Sequence, residues 1–176
     1  YRPADTNEVK GAWIDALSSK SPSALILSRQ SCKDLEETNI ENVSKGAYIV
    51  KNASNENSID IAILSTGSEL SLGLDVAKEL EKENISTQVI SFPSWEKFDT
   101  QEESYKSTIL PKHIKHFVVI EAQSSFGWHK YAGNKATFIT VENFGISAPG
   151  NVIAEEFGFN SDAIIKKIKK NLVLIS

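Results

Sequence analysis

An α/β fold is what this sequence of 176 residues predicts, and three neighbouring features carry the prediction. Ile59 to Leu64 is a short, nearly unbroken apolar run, the pattern of a strand covered on both faces in a parallel sheet. Thr66-Gly67-Ser68-Glu69 follows at once and reads as a tight turn into a capping box, with the Thr66 hydroxyl accepting from the Glu69 N–H and the Glu69 carboxylate reaching back to the N–H of Thr66. Behind it, Gly73, Val76, Ala77 and Leu80 fall on one helical stripe, flanked by Asp75, Lys78, Glu79 and Lys82. Strand, glycine turn and amphipathic helix form the first half of a βαβ unit. The turn holds one glycine rather than a G-x-G-x-x-G series, and Glu69 would repel a phosphate, so a structural cap is favoured over an anion site.

The remaining elements follow in order. Asp5-x-x-Glu8 is a second capping-box pattern with Asp5 as N-cap, and Val9, Ala12, Trp13, Ala16 and Leu17 give the helix behind it an apolar stripe. Ser18 to Pro22 ends that helix, and Ala24 to Leu27 reads as a buried strand delivering Ser28, Arg29 and Gln30 at its carboxyl end. Ser31 to Ser44 turns polar and irregular, as a linker between domains does. Lys45 to Val50 alternates into a strand, and Asn52 to Ser58 is a polar turn without an EF-hand pattern. Thr87 to Ser91 is a strand, after which the aromatics of Phe92 to Asp99 are expected to wedge a loop onto the core. A short helix spans Glu102 to Ile109, closed by Pro111, and Phe117 to Glu121 is a strand with a carboxylate at its far end. Gln123 to Tyr131 is a Gly-aromatic loop, Ala136 to Val141 a strand and Phe144 to Pro149 a turn. Helices over Asn151 to Phe157 and Ser161 to Leu174 finish the chain.

Composition narrows the function. A net charge of −4 gives no general attraction to nucleic acid or to an anionic membrane, and no apolar run reaches the ~18 residues of a membrane span. No signal peptide is visible, and the single cysteine, Cys32, fits a reducing, cytoplasmic setting. The three Asn-x-Ser matches at Asn42, Asn52 and Asn84 are then chance. The chain has no methionine and opens on Tyr1-Arg2-Pro3, so it is expected to be a piece of a longer protein.

Few residues invite chemistry. Ligands of open α/β sheets gather outside the carboxyl ends of strands, where Arg29 offers five fixed donors for bidentate capture of a phosphate or carboxylate. The alternative is a surface arginine paired with a neighbouring Glu or Asp. His113, His116 and His129 lack metal-ligand spacing, and nothing in the spacing pairs Cys32 with a histidine. Glu121 is the best lone acid/base candidate, set against a solvated or hydrogen-bonded loop carboxylate, which is favoured. Lys166, Lys167, Lys169 and Lys170 on the last helix could seek an acidic partner, but plain packing is favoured, with the cations complementing the helix dipole and Ile164, Ile165, Ile168 and Leu172 as the buried face. No complete catalytic set emerges.

Taken together, a series of motifs resembles the transketolase family. It comprises Arg2-Pro3-Ala4-Asp5 with Asn7-Glu8, Leu27-Ser28-Arg29-Gln30, Lys45-Gly46-Ala47-Tyr48 and Thr66-Gly67-Ser68-Glu69. It continues with Pro93-Ser94-Trp95-Glu96 before Phe98-Asp99, Phe126-Gly127-Trp128 with Lys130-Tyr131, and Phe144-Gly145 with Ser147-Ala148-Pro149. The motifs keep the family's order and cover the chain nearly end to end. The resemblance implies that residues 1–40 are the tail of a pyrimidine-binding domain and residues 41–176 the C-terminal domain. That domain would be a three-layer α/β/α arrangement around a mostly parallel, mixed five-strand sheet, with Lys45 to Lys51 as its antiparallel strand. It implies a homodimeric parent enzyme that moves a two-carbon ketol unit between sugar phosphates, using thiamine diphosphate and Mg2+ or Ca2+. Of the family's substrate-binding residues only Arg29 falls in this chain, where it would hold the sugar phosphate. The cofactor-activating glutamate, the aromatic shell of the aminopyrimidine and the metal ligands would lie upstream of Tyr1. No catalytic residue, bound cofactor or turnover is therefore expected of this chain alone.

Two departures from the family pattern stand out. Ser31-Cys32-Lys33 replaces the Leu-Pro usual after Arg-Gln, beside Arg29, and Glu142-Asn143 replaces Asp-Arg before Phe144-Gly145. Competing readings are a stand-alone small-ligand or regulatory α/β module, and a structural domain that supports the parent dimer through the loops at Trp95 and Trp128.

Overall fold

The structure, a computed structural model, describes residues 1–175, with side chains described as far as Leu172. Five strands, β1 (Tyr48–Lys51), β2 (Ile61–Ser65), β3 (Thr87–Ser91), β4 (His116–Glu121) and β5 (Thr137–Thr140), form one sheet in the order β1-β3-β2-β4-β5. β2, β3, β4 and β5 are parallel, and β1 alone runs antiparallel, pairing Tyr48 with Ser91. The mixed five-strand sheet and its reversed edge agree with the expectation. β1 starts three residues later than expected, at Tyr48 rather than Lys45, because Glu41–Lys45 closes into a 3-10 turn.

Helices α1 (Thr6–Ser18), α2 (Glu69–Lys82), α3 (Trp95–Asp99), α4 (Glu103–Ile109), α5 (His129–Ala132), α6 (Gly150–Glu156) and α7 (Ser161–Ile175) complete the fold. Strand alternation explains the three layers. Ile61 and Ile63 face Val76, Leu80, Ile164 and Ile168 of α2 and α7, whereas Ala62 and Leu64 face Phe98, Ile109 and Trp128 on the other side. Every residue of β2 and β3 is buried, as central strands of a covered sheet must be. Each large side chain so enclosed contributes about 1.5–3 kcal/mol of transfer free energy. On the second face, Phe92, Trp95, Phe98, Trp128 and Tyr131 interlock with centroids 4.7 to 6.3 Å apart, so the aromatic stretches do clamp their loops onto the core.

Three expectations need correction. Ala24 to Leu27 is neither a strand nor buried, with Ile26 and Leu27 each 55% exposed. Among the described residues its main-chain hydrogen bonds are to Tyr1, from the Tyr1 nitrogen to the Ala24 carbonyl (2.6 Å) and from the Ile26 N–H to the Tyr1 carbonyl (2.8 Å). The stripe of α1 is not all interior either, since Trp13 and Leu17 are exposed while Ala12 packs inward. Finally, Thr66 and Glu69 do not form a capping box. Ser68 is the residue before α2 and its side chain caps no main-chain N–H of the helix, while both expected partners are engaged by Arg2. The box at Asp5 does form in part. Asp5 accepts from the Glu8 N–H at 3.0 Å, but Glu8 reaches back to Ala4, one residue earlier than the pattern predicts.

Candidate functional site

The rim at the carboxyl ends of β2, β3 and β4 gathers the polar side chains that the core excludes. Gly67, at φ +60°, turns the chain sharply after β2, and a Cβ there would lie 3.0 Å from the Arg2 guanidinium carbon. That turn lets the first residues of the chain lie across the rim. The Arg2 N–H donates to the Pro93 carbonyl (2.9 Å), and its carbonyl accepts from the Gly67 N–H (3.1 Å) and the Thr66 hydroxyl (2.8 Å). Its guanidinium forks between two carboxylates, with Nη2 donating to Glu69 at 2.6 Å and Nη1 donating to Glu121. Glu69 also accepts from the Ala122 N–H and the Ser68 hydroxyl. Burial pushes the Glu121 carboxyl up to about 7, and the Arg2 charge opposes this only in part because Glu69 stands beside it.

A second buried carboxylate secures the same segment. Glu8 has no exposed surface and accepts from the hydroxyls of Ser91 and Tyr48 and from the Ala4 N–H. Burial raises its pKa, against the lowering effect of those donors. Asp5 binds the Leu35 N–H and the Thr38 hydroxyl, so the polar stretch expected as a linker is tied to the start of α1.

Arg29 sits beside this rim. It is exposed, and among the described residues nothing pairs with its guanidinium. It lines a cleft of about 520 Å3 together with Arg2, Ser28, Gln30, Ser68 and Gln123. The Gln30 amide lies so close to Gly150, at the start of α6, that a side chain there would collide with it. One turn therefore presents a free guanidinium, flanked by amides and hydroxyls, in an open cleft beside Arg2.

The other sequence candidates disperse. Glu121 is no loop carboxylate in water but a buried partner of Arg2. His116 is buried against the Thr137 hydroxyl (2.8 Å), and burial lowers its pKa; exposed His113 bonds the Glu56 carbonyl, and His129 lies against the Phe138 ring. Cys32 is exposed and its thiol lies 3.8 Å from the Gln30 carbonyl. Of the basic helix, Lys167 caps the Phe138 carbonyl and Lys169 pairs with Glu83, while Ile164 and Ile168 are buried. Trp128 is 1% exposed, taken up by its own core rather than offered to a partner. Glu142, one of the two departures, accepts from the Ser125 N–H and the Thr140 hydroxyl, tying the Gly-aromatic loop to the end of β5. Arg2 is the site residue that the sequence alone did not single out. A charged residue ahead of Pro3, in a chain with two carboxylates at strand and helix ends, was its faint signal. Among the described residues no group of three or more His, Cys, Asp or Glu could hold a metal ion. No helix among them is long and apolar enough to cross a membrane.

This sheet order, with helices on both faces, is that of a three-layer α/β/α domain, and comparisons with known proteins assign its family. The family described as the transketolase-like TK C-terminal domain matches residues 46–160. The chloroplastic transketolase of Solanum tuberosum is 43% identical over 97% of this chain and 23% of its own length. The structure of transketolase from Leishmania mexicana superposes with a TM-score of 0.88 at 36% identity, covering 96% of this chain and 24% of its own. The Pichia stipitis transketolase in complex with sedoheptulose 7-phosphate gives 0.89 at 35% identity, covering 99% and 25%. The chain thus belongs to the transketolase family, and it spans about a quarter of the length of the curated relatives it matches.

Proposed function

We propose that this chain is the C-terminal portion of a transketolase that transfers a two-carbon ketol unit between sugar phosphates, and that Arg29 holds the substrate's phosphate. The observation that carries the second part is the unpaired, exposed Arg29 guanidinium in the 520 Å3 cleft at the carboxyl rim. Its planar fork suits a phosphate dianion, and the Ser28 and Gln30 side chains beside it can complete the hydrogen bonding. The complex of the Pichia stipitis relative with a phosphorylated ketose supports the same substrate class.

Residues 1–40 serve, in this reading, as the tail of a preceding domain and 41–176 as the C-terminal domain. In this reading thiamine diphosphate and its Mg2+ or Ca2+ are held by other parts of a longer, homodimeric, cytoplasmic protein, as the family resemblance implies. This chain then acts by binding and orienting the far end of the substrate, and alone it turns over no sugar phosphate. In the full-length protein, Arg29→Ala should raise KM for a phosphorylated ketose roughly 10- to 100-fold, the weight of one or two charge-assisted hydrogen bonds. Steady-state kinetics with phosphorylated and unphosphorylated ketoses checks this. An unchanged KM for the phosphorylated one removes Arg29 from the phosphate site, and turnover by the 176-residue chain alone would refute the first part.

A further inference from the structure

Beneath the cleft that holds Arg29, two acids share one base. Arg2, Ser68 and Glu69 line that cleft together with Arg29, and the Arg2 guanidinium also reaches Glu121. Glu69 opens α2 and Glu121 closes β4, so the two carboxylates come from separate elements and meet only through Arg2. The side chains of Arg2, Glu69 and Glu121 are 19%, 10% and 4% exposed, and their charges are screened far less than those of surface ion pairs. With both acids ionised the trio carries a net negative charge of one; with one of them protonated it is neutral. The proton that relieves the pair belongs on Glu121. Glu69 also accepts from the Ala122 N–H and the Ser68 hydroxyl, whereas among the described residues Arg2 is the one donor to Glu121.

The surroundings of Glu121 do not cancel that charge. Glu96, at the start of α3, lines a small neighbouring cleft with Glu121, and so does the Tyr1 phenol, which donates to Asp15. Glu142, beyond β5, is engaged by the Ser125 N–H and the Thr140 hydroxyl. Thr66, after β2, and Gln123, after β4, are neutral. Among the described residues Arg2 is thus the one cation paired with Glu121. Burial pushes the Glu121 carboxyl up to about 7, Arg2 opposing the rise and Glu69 adding to it, which brings its proton into the neutral range.

We propose that Glu121, sharing Arg2 with Glu69 beneath the cleft, sets the cleft's charge by gaining or losing a proton, so that an anionic substrate binds beside Arg29 more tightly when Glu121 is protonated. This rests on the phosphate role given to Arg29 above, and the test separates the two. A sugar phosphate titrates near pH 6 itself, so the probe is sulfate, a dianion throughout, used as a competitor of a phosphorylated ketose. As pH rises Glu121 ionises, a negative charge appears a cleft's width from the anion, and affinity falls roughly three- to tenfold. In the full-length protein, the inhibition constant of sulfate should rise by that factor between about pH 6 and about pH 8 in the parent, and stay within about twofold in Glu121→Gln. Coupling is reciprocal, so sulfate binding near pH 7 should draw roughly a quarter to half of a proton onto the parent and markedly less onto the variant, read by calorimetry in two buffers of different ionisation heat. Glu69→Gln, which leaves Arg2 to Glu121 alone, should move the midpoint of the sulfate profile to lower pH, a shift that loss of packing would not produce. Should Glu121→Gln not fold, that shift is the test. A profile that is the same in the parent and Glu121→Gln, or that Glu69→Gln leaves unmoved, overturns the proposal. If instead Arg29→Ala leaves sulfate inhibition untouched, the phosphate reading itself has failed, and this proposal falls with it.

Discussion

Glu121 carries a cost that its neighbours only partly relieve. Its carboxyl, ordinarily near 4.5, is pushed up to about 7 by burial and by Glu69. A carboxyl whose folded pKa lies above its unfolded one stabilises the fold fully below the unfolded value. That contribution is lost as pH rises through the folded value, here between about 4.5 and about 7. The loss is on the order of 3 kcal/mol. Glu121→Gln carries no such proton, so the variant should gain on the parent by that order when urea unfolding at pH 8 is compared with pH 4.5. Parallel stability curves across that range would show that Arg2 keeps the carboxylate ionised throughout. The cluster was invisible along the chain because its partners stand 67 and 119 residues from Arg2. Local pattern saw Thr66 and Glu69 as each other's partners, and a guanidinium from the far end of the sequence outcompeted that four-residue motif.

Strands and helices fared better, since periodicity is a local property. β2, β3, β4, α2 and α7 lie where their apolar patterns place them, because each buries a face against a neighbour within the same layers. The aromatic motifs behaved likewise. Trp128, ahead of α5, meets Phe92, Trp95 and Tyr131 edge-on within 6.3 Å, so its ring joins the β3–α3 segment and its own segment to the sheet. Trp128→Ala should cost about 3–5 kcal/mol, the range for emptying a large core site, read as a lower denaturation midpoint with an unchanged slope. A loss below about 1 kcal/mol would mean the loops collapse into the space and that the cluster is not what holds them. Ala24 to Leu27 shows the opposite case. Its apolar run reads as a strand, yet a strand exists only with a partner, and here it has two hydrogen bonds to Tyr1 and exposed side chains.

Across the molecule, stability should therefore be graded. The sheet is packed between two core clusters, one of which takes up α2, while residues 19–34 lie outside both. Native-state hydrogen exchange should find the amides of Leu25 and Leu27 exchanging orders of magnitude faster than those of Ile63 and Val119, which open only with the whole fold. Equal protection in both places would mean that the first forty residues are as firmly built in as the sheet.

One short strand also decides what can reach the rim. β1 runs against its neighbour, with Tyr48 beside Ser91, so the polypeptide enters the sheet at the brim where β2, β3 and β4 leave it. Were β1 turned to run with the others, that entrance would drop to the opposite floor, roughly 15 Å lower for a strand of four or five residues. The opening helix would then dock below, and both arginines would be carried away from the brim with it. A single reversal at the margin of the sheet thus acts as the doorway through which the cleft receives its positive charge.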